Sequence, residues 1–282
     1  MANNNLSKTP VICLIITYFC ITLAASIIEN NPIKGYEISV YTSTPEVWLL
    51  LGAVAVGGII FTIYSISSRN PENNLWTLSL CAILLSNLLI VLIPYLRGYA
   101  FSNGGDHLSH FGWVKFILET GNLPTDNVYP ITHILISQFS LILGVPPDIT
   151  INFAGPLFYL LFVLFTYTLS REILPRNAAI LAVTASTPLF CYYYSEVFPM
   201  GFAFLTFPLV FYLYFSYLKK RLVRFAIILM PFILLMPLFH PVAASMLVLS
   251  LLIYEISKFL FRTLPSTHEV CQYFSTIPVT LI

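Results

Sequence analysis

The stretch ITHILISQFSLILG, residues 131–144, decides how the chain is threaded. It is as apolar as a membrane span, yet it is shorter than the roughly 17 residues that a helix needs to cross a hydrocarbon core of about 30 Å. If it crosses, the segments on its two sides face opposite compartments. If it turns back, they face the same one.

Around it lie apolar runs of spanning character: Val11 to Ile28, Val47 to Ile66, Leu75 to Tyr95, Ile149 to Leu169, Ala178 to Phe190, Phe198 to Leu218, Phe225 to Phe239 and Val242 to Phe261. The fifth and seventh are short. Of the 282 residues, 58% are hydrophobic and only 9% charged, whereas soluble domains carry about a quarter charged residues. Such a chain cannot clothe a water-facing surface, but lipid supplies an apolar solvent for outward Leu, Ile, Phe and Val. The expected fold is all-α: a polytopic transmembrane helical bundle with a long outer loop containing interfacial helices. A net charge of +1 offers nothing to nucleic acid, so membrane lipid is the expected partner and nucleic acid is not. Cys13, Cys20, Cys81, Cys191 and Cys271 form no C-x-x-C pair, which indicates neither a disulfide framework nor a zinc site. Lys8 and the later LAAS share features with a secretory signal; the run between them is taken here as the first span.

Basic residues set the orientation, because Lys and Arg accumulate in cytoplasmic loops. Lys219, Lys220, Arg221 and Arg224 are the strongest markers, followed by Arg171 with Arg176, Arg69, and Lys258 with Arg262. All of these and Lys8 fall inside on one condition, that residues 131–144 do not cross. The N-terminus is then cytoplasmic. Asp106, His107, His110, His133, Glu196 and His240 then share the outer face, although they come from loops far apart in sequence.

The long outer loop, residues 97–130, carries most of this polarity. DHLSHFGWVKFILE, from Asp106 to Glu119, reads as a helix between Gly105 and Gly121. Its Phe111, Trp113 and Phe116 suit a membrane interface. Asp106 lies in the first turn, where the helix dipole suits a carboxylate, and four residues before His110, so the two can neighbour each other. Asp106 is a candidate base or metal ligand, and a helix cap is its plain alternative. D-H-x-x-H with His133 beyond it has a spacing that could grip a divalent cation such as Mg or Mn, through Asp106 and His110 first. Hydrogen bonding to backbone or headgroups is the plain reading for these histidines. Arg97 and Lys115 are the nearby cations for a phosphate, or simply snorkel at the interface. Tyr129 precedes Pro130 in extended backbone, and Pro130 suits the start of a helix whose first turn holds His133. CYYYSEVFP, residues 191–199, sets Glu196 in a second outer hairpin, and FHP, residues 239–241, sets His240 in a third.

The order of these elements resembles a known pattern. GGDHLSH, an interfacial helix, NVYPITHIL, the turn LILGV, then YTLSREILPRNAAILAVTAS and the hairpin YYYSEVFP together resemble membrane glycosyltransferases of the GT-C superfamily. The likeness is to archaeal and bacterial members related to oligosaccharyltransferases, mannosyltransferases and aminoarabinose transferases. It covers about residues 75–262, leaving residues 1–74 as an N-terminal transmembrane hairpin and 263–282 as a short tail. The resemblance implies a polyprenyl-phosphate-linked sugar donor and a protein or glycan acceptor outside the cytoplasm, in a multi-pass protein of the plasma membrane. It implies that Asp106 is the first-loop acid acting as base and Glu196 the second acid. Arg97, His107, His110, Lys115, Tyr129, His133 and His240 would be substrate-binding. The chain departs from the pattern where His107 stands beside Asp106, in its extra first hairpin, and in its length, which suits the N-terminal part of such an enzyme. A multi-spanning transporter or channel and a non-catalytic membrane subunit are the alternatives; the former usually places ionisable groups near the bilayer midplane, and here they gather in an outer loop.

Overall fold

The computed structural model describes residues 8–35, 37, 44–67, 75–100, 106–187 and 198–263. The described residues form ten helices and no strand: α1 (Lys8–Glu29), α2 (Pro45–Ser67), α3 (Leu75–Leu96), α4 (Asp106–Thr120), α5 (Ile131–Leu143), α6 (Pro147–Ile173), α7 (Arg176–Ser186), α8 (Pro199–Lys220), α9 (Val223–Phe239) and α10 (Pro241–Thr263). In α1, α2, α3, α6, α8 and α10 an apolar stretch is long enough to cross a membrane, and the protein is an integral membrane protein on that ground. Of the expected spans, 178–190 is helical through Ser186, and its last part lies outside the described residues together with Glu196. The other short one is α9, with 17 residues.

The short segment that decides the threading is a helix of 13 residues, α5. At about 1.5 Å per residue it is roughly 20 Å long, too short for the hydrocarbon core. Its end is sharp because Gly144 takes the left-handed conformation, φ 63°, and its N–H closes on the Ser140 carbonyl, a stop that favours glycine. Pro147 then opens α6, a position proline suits because its missing N–H has no helical partner to lose.

Three packed groups make the bundle. Helices α1, α2 and α3 bury Ala24, Ile28, Val47, Leu51 and Ile93 between them, and the Ser86 hydroxyl donates to the Leu51 carbonyl at 2.8 Å. The approach of α2 to α3 is close at Gly58, where a Cβ would fall 2.6 Å from Ile83 Cγ1. Helix α6 runs through the centre, with Phe158 stacked on Phe202 of α8 at 4.2 Å between ring centroids, and Val114 and Ile136 of α4 and α5 join the same apolar cluster. Helices α8, α9 and α10 bury Val210, Leu229, Met236 and Ala243.

The two ends of α6 differ. Near its start, Asn152 meets His107 of α4; near its other end, Glu172 lies 3.1 Å from Lys219 Nζ and 2.8 Å from Lys220 Nζ. The helix between these contacts is about 30 Å long at 1.5 Å per residue, the thickness of a hydrocarbon core. The histidine-bearing loop and the strongest basic cluster thus occupy opposite ends of the bundle.

Candidate functional site

Helix α4 buries His107, His110 and Val114, positions three and seven residues apart that share one face. Helix α5 buries Thr132, His133, Ile136, Ser137 and Ser140. These two polar-studded faces meet: His110 Nδ1 lies 2.9 Å from His133 Nε2, and the Ser137 hydroxyl approaches the Val114 carbonyl at 3.4 Å. Both contacts advance along the two helices together, so α4 and α5 run in the same direction. The intervening chain must therefore return alongside α4, and its Leu123, Pro124, Thr125 and Asp126 line a cleft of about 370 Å³ with Trp113 and Phe116.

On its way back that segment supplies Asn127, which is buried, with Nδ2 3.0 Å from His133 Nδ1. Its Oδ1 accepts from the Tyr129 N–H at 3.3 Å. At the other end of the row, His110 Nε2 is 3.7 Å from Asp106 Oδ2, and the Asp106 side chain is 73% exposed. The result is a linear chain from a buried amide through two buried imidazoles to a carboxylate at the surface. Aromatic rings enclose it. Trp113 stands edge-on to His133 at 4.9 Å and lies 5.5 Å from His110; Tyr129 is 6.2 Å from Trp113 and 5.3 Å from His240.

Burial sets the charge state of the imidazoles. His133 is fully enclosed, and desolvation, with the neighbouring His110 adding to it and a hydrogen bond to the Tyr129 backbone opposing it, pushes its pKa down to about 3. His110 is also held low, by burial first, with Asp106 pulling the other way and His107 reinforcing it. Both rings are neutral at pH 7. His240 is lowered by burial alone; its Nδ1, like Thr132 Oγ1, is buried without a hydrogen-bond partner among the described residues.

Four of the residues read from sequence as site candidates, His110, Tyr129, His133 and His240, are thus brought together, with Asp106 at the edge. The others go elsewhere. His107 turns to α6, with Nε2 3.3 Å from Asn152 Oδ1, whose amide in turn donates to the Ala100 carbonyl at 2.7 Å. Arg97, 2% exposed, forks onto Glu37 at 2.7 and 2.6 Å and donates Nε–H to the Asn31 carbonyl at 2.7 Å. Lys115 is exposed and 3.6 Å from Glu119. Glu196 lies outside the described residues. Sequence reading passed over Asn127, Asn152 and Glu37, and gave Trp113 only an interfacial role.

A hard divalent cation does not fit this arrangement. His110 and His133 turn nitrogens on each other, which leaves Asp106 and one imidazole edge, whereas Mg or Mn favours several oxygens. Among the described residues no group of three His, Cys, Asp or Glu is placed to hold a metal ion. What the row can do is hold the exposed Asp106 carboxylate beside a buried pair of neutral imidazoles, which suits proton abstraction from a bound hydroxyl or amide. Comparison with known protein families, with curated proteins and with solved structures yields no match to this chain.

Proposed function

We propose that the protein is a membrane-embedded glycosyltransferase, or the N-terminal part of one, that moves a sugar from a polyprenyl-phosphate donor to a protein or glycan acceptor on the non-cytoplasmic side. The observation that carries this reading is the carboxylate of Asp106, exposed at the first turn of α4 and backed by the neutral His110–His133 pair at one end of a spanning bundle. With the basic residues Lys219 and Lys220 about 30 Å away along α6, the positive-inside rule puts the site outside and the N-terminus in the cytoplasm. The plasma membrane is the proposed location.

In the proposed step Asp106 takes the proton of the acceptor's hydroxyl or amide. The acceptor atom bonds to the anomeric carbon of the sugar, whose bond to the phosphate oxygen breaks, and the polyprenyl phosphate leaves with the electron pair. Trp113 and Tyr129 offer aromatic faces to the sugar ring, and His240 Nδ1 offers an unmet hydrogen-bond position to a hydroxyl. Arg97 is occupied by Glu37, so the phosphate falls to exposed Lys115, whose pairing with exposed Glu119 is weak and readily exchanged. Asp106→Asn in proteoliposomes supplied with polyprenyl-phosphate sugars is the test: transfer drops by a factor on the order of 10²–10⁴ if Asp106 is the base, and unchanged transfer removes it from the mechanism.

A further inference from the structure

The hydrogen bonds around the two imidazoles form a row whose polarity can be deduced. The Tyr129 N–H can only donate, so the Asn127 atom it meets at 3.3 Å is the amide oxygen. The Asn127 atom facing His133 Nδ1 at 3.0 Å is then the amide nitrogen, a donor. Facing that donor, His133 Nδ1 accepts, which leaves the proton of this neutral ring on Nε2, while the Tyr129 backbone, which favours an N–H on this ring, pulls the other way. His133 Nε2–H points at His110 Nδ1, 2.9 Å away, so His110 Nδ1 accepts and its own proton sits on Nε2. That nitrogen lies 3.7 Å from Asp106 Oδ2, a charge–dipole contact longer than a hydrogen bond. Every link depends on the one before it, and the sequence of donors starts at the backbone of Tyr129.

We propose that Asn127 and His133 are positioning residues that lock His110 as its Nε2–H tautomer, so that His110 donates toward Asp106 and has no lone pair with which to take the acceptor's proton itself. This rests on the reading of Asp106 as the base. The burial that keeps both rings neutral supports it, since a charged ring would carry two N–H groups and break the row. An unlocked His110 would spend part of its time as the Nδ1–H tautomer, presenting a lone pair to a carboxylate and opposing His133 with a second donor. Buried donors and acceptors left facing their own kind are costly, which is why one tautomer of each ring prevails.

The experiment is nitrogen-15 NMR of histidine-labelled full-length protein in lipid nanodiscs at neutral pH, which reads which ring nitrogen holds the proton. The wiring requires Nε2–H at both His110 and His133 in the wild type; Nδ1–H at either overturns it, and this reading needs no variant and no substrate. Asn127→Leu removes the donor that faces His133 Nδ1 without touching His110, and the expected result is that His110 changes from one tautomer to a mixture. An unchanged His110 spectrum in that variant also overturns the proposal. The His107 signal, held by Asn152, reports in the same spectrum that the fold is intact. In transfer assays Asn127→Leu should lower kcat by about 10-fold to 100-fold, the worth of one hydrogen bond to a charged group. Correct tautomers in a wild-type protein that transfers no polyprenyl-linked sugar would support the wiring and count against the glycosyltransferase reading alone.

Discussion

His110 Nδ1 and His133 Nε2 lie 2.9 Å apart, a single hydrogen bond joining α4 to the short helix α5 at one end of the bundle. The bond requires one ring to lack a proton where the other has one, and this makes the pair sensitive to acid. Protonating His110 puts N–H on both of its nitrogens; His133 must then move its proton to Nδ1, where it meets the Asn127 amide N–H. The His110–His133 bond then runs in the opposite direction, and the Asn127–His133 contact is lost.

Stability should therefore depend on pH through this pair. Both folded pKa values lie below the ordinary histidine value of 6.5, that of His133 at about 3. Between those limits the unfolded chain binds protons that the folded one refuses, so stability is full above about pH 6.5 and falls as the pH drops toward 3. The slope from His133 alone is about 1.4 kcal/mol per pH unit. The groups facing the pair are Asp106, His107, Tyr129 and His240, of which Asp106 moderates the effect. Thermal unfolding in detergent from pH 7 to 4 should show the melting temperature falling, and a His110→Gln, His133→Gln double variant should flatten that dependence.

Arg97 gives a second expectation. Its guanidinium, buried and bidentate on Glu37 while Nε–H holds the Asn31 carbonyl, ties the end of α3 to the chain leaving α1. Breaking a buried pair leaves an uncompensated charge, so Arg97→Ala should cost about 3 kcal/mol. Arg97→Lys keeps the charge but not the planar fork, and should cost about 1–2 kcal/mol. Denaturant titration of both variants checks the order; a neutral Arg97→Ala would detach this ion pair from stability. Burial also explains why Arg97 is a poor phosphate ligand: Glu37 already fills the face a phosphate would use.

Six of the eight expected spans, seen as α1, α2, α3, α6, α8 and α10, were legible because each apolar run is long against the bilayer thickness, and residues 131–144 were legible as a helix too short to cross because that run is not. Gly121 and Gly144 marked the ends of α4 and α5 by their chemistry, and Asp106 marked the start of α4. The placement of His133 beside His110 was not legible. It depends on α4 and α5 running in the same direction, and that depends on residues 121–130 folding back, for which no local pattern speaks. The same holds for Asn127: nothing about a single amide six residues before a histidine announces a shared hydrogen bond. Glu37 was passed over as well, since its pairing with Arg97 leaves no periodic trace.

Neighbouring glycines in α2 should respond in opposite directions. A Cβ at Gly57 meets nothing within 4 Å, whereas one at Gly58 falls 2.6 Å from Ile83 Cγ1, and Ile83 is enclosed with no room to withdraw. Gly57→Ala should raise stability by about 0.5–1 kcal/mol through helix propensity. Gly58→Ala gains the same propensity but must force α2 from α3, a net cost of about 1–2 kcal/mol. Unfolding of the two single variants in one detergent decides it, and equal effects would mean that the α2–α3 contact is looser than the geometry indicates.

The separation between the histidine row and the lysine pair leads to an expectation about sidedness. Asn152, which holds α4 at one end of α6, and Glu172, which holds Lys219 and Lys220 at the other, are about 30 Å apart along one helix, and no water-filled route is needed between them if lipid surrounds that length. Thr125, exposed on the returning segment beside the cleft, and Arg224, exposed at the start of α9, then belong to opposite aqueous compartments. In a background with the five native cysteines replaced by alanine, Thr125→Cys and Arg224→Cys should react with a membrane-impermeant maleimide from opposite faces of sealed, oriented vesicles. The positive-inside rule further requires Arg224→Cys to be the one protected in intact cells. Labelling of both positions from the same face would mean that α6 does not cross, and with it would go the outward placement of Asp106.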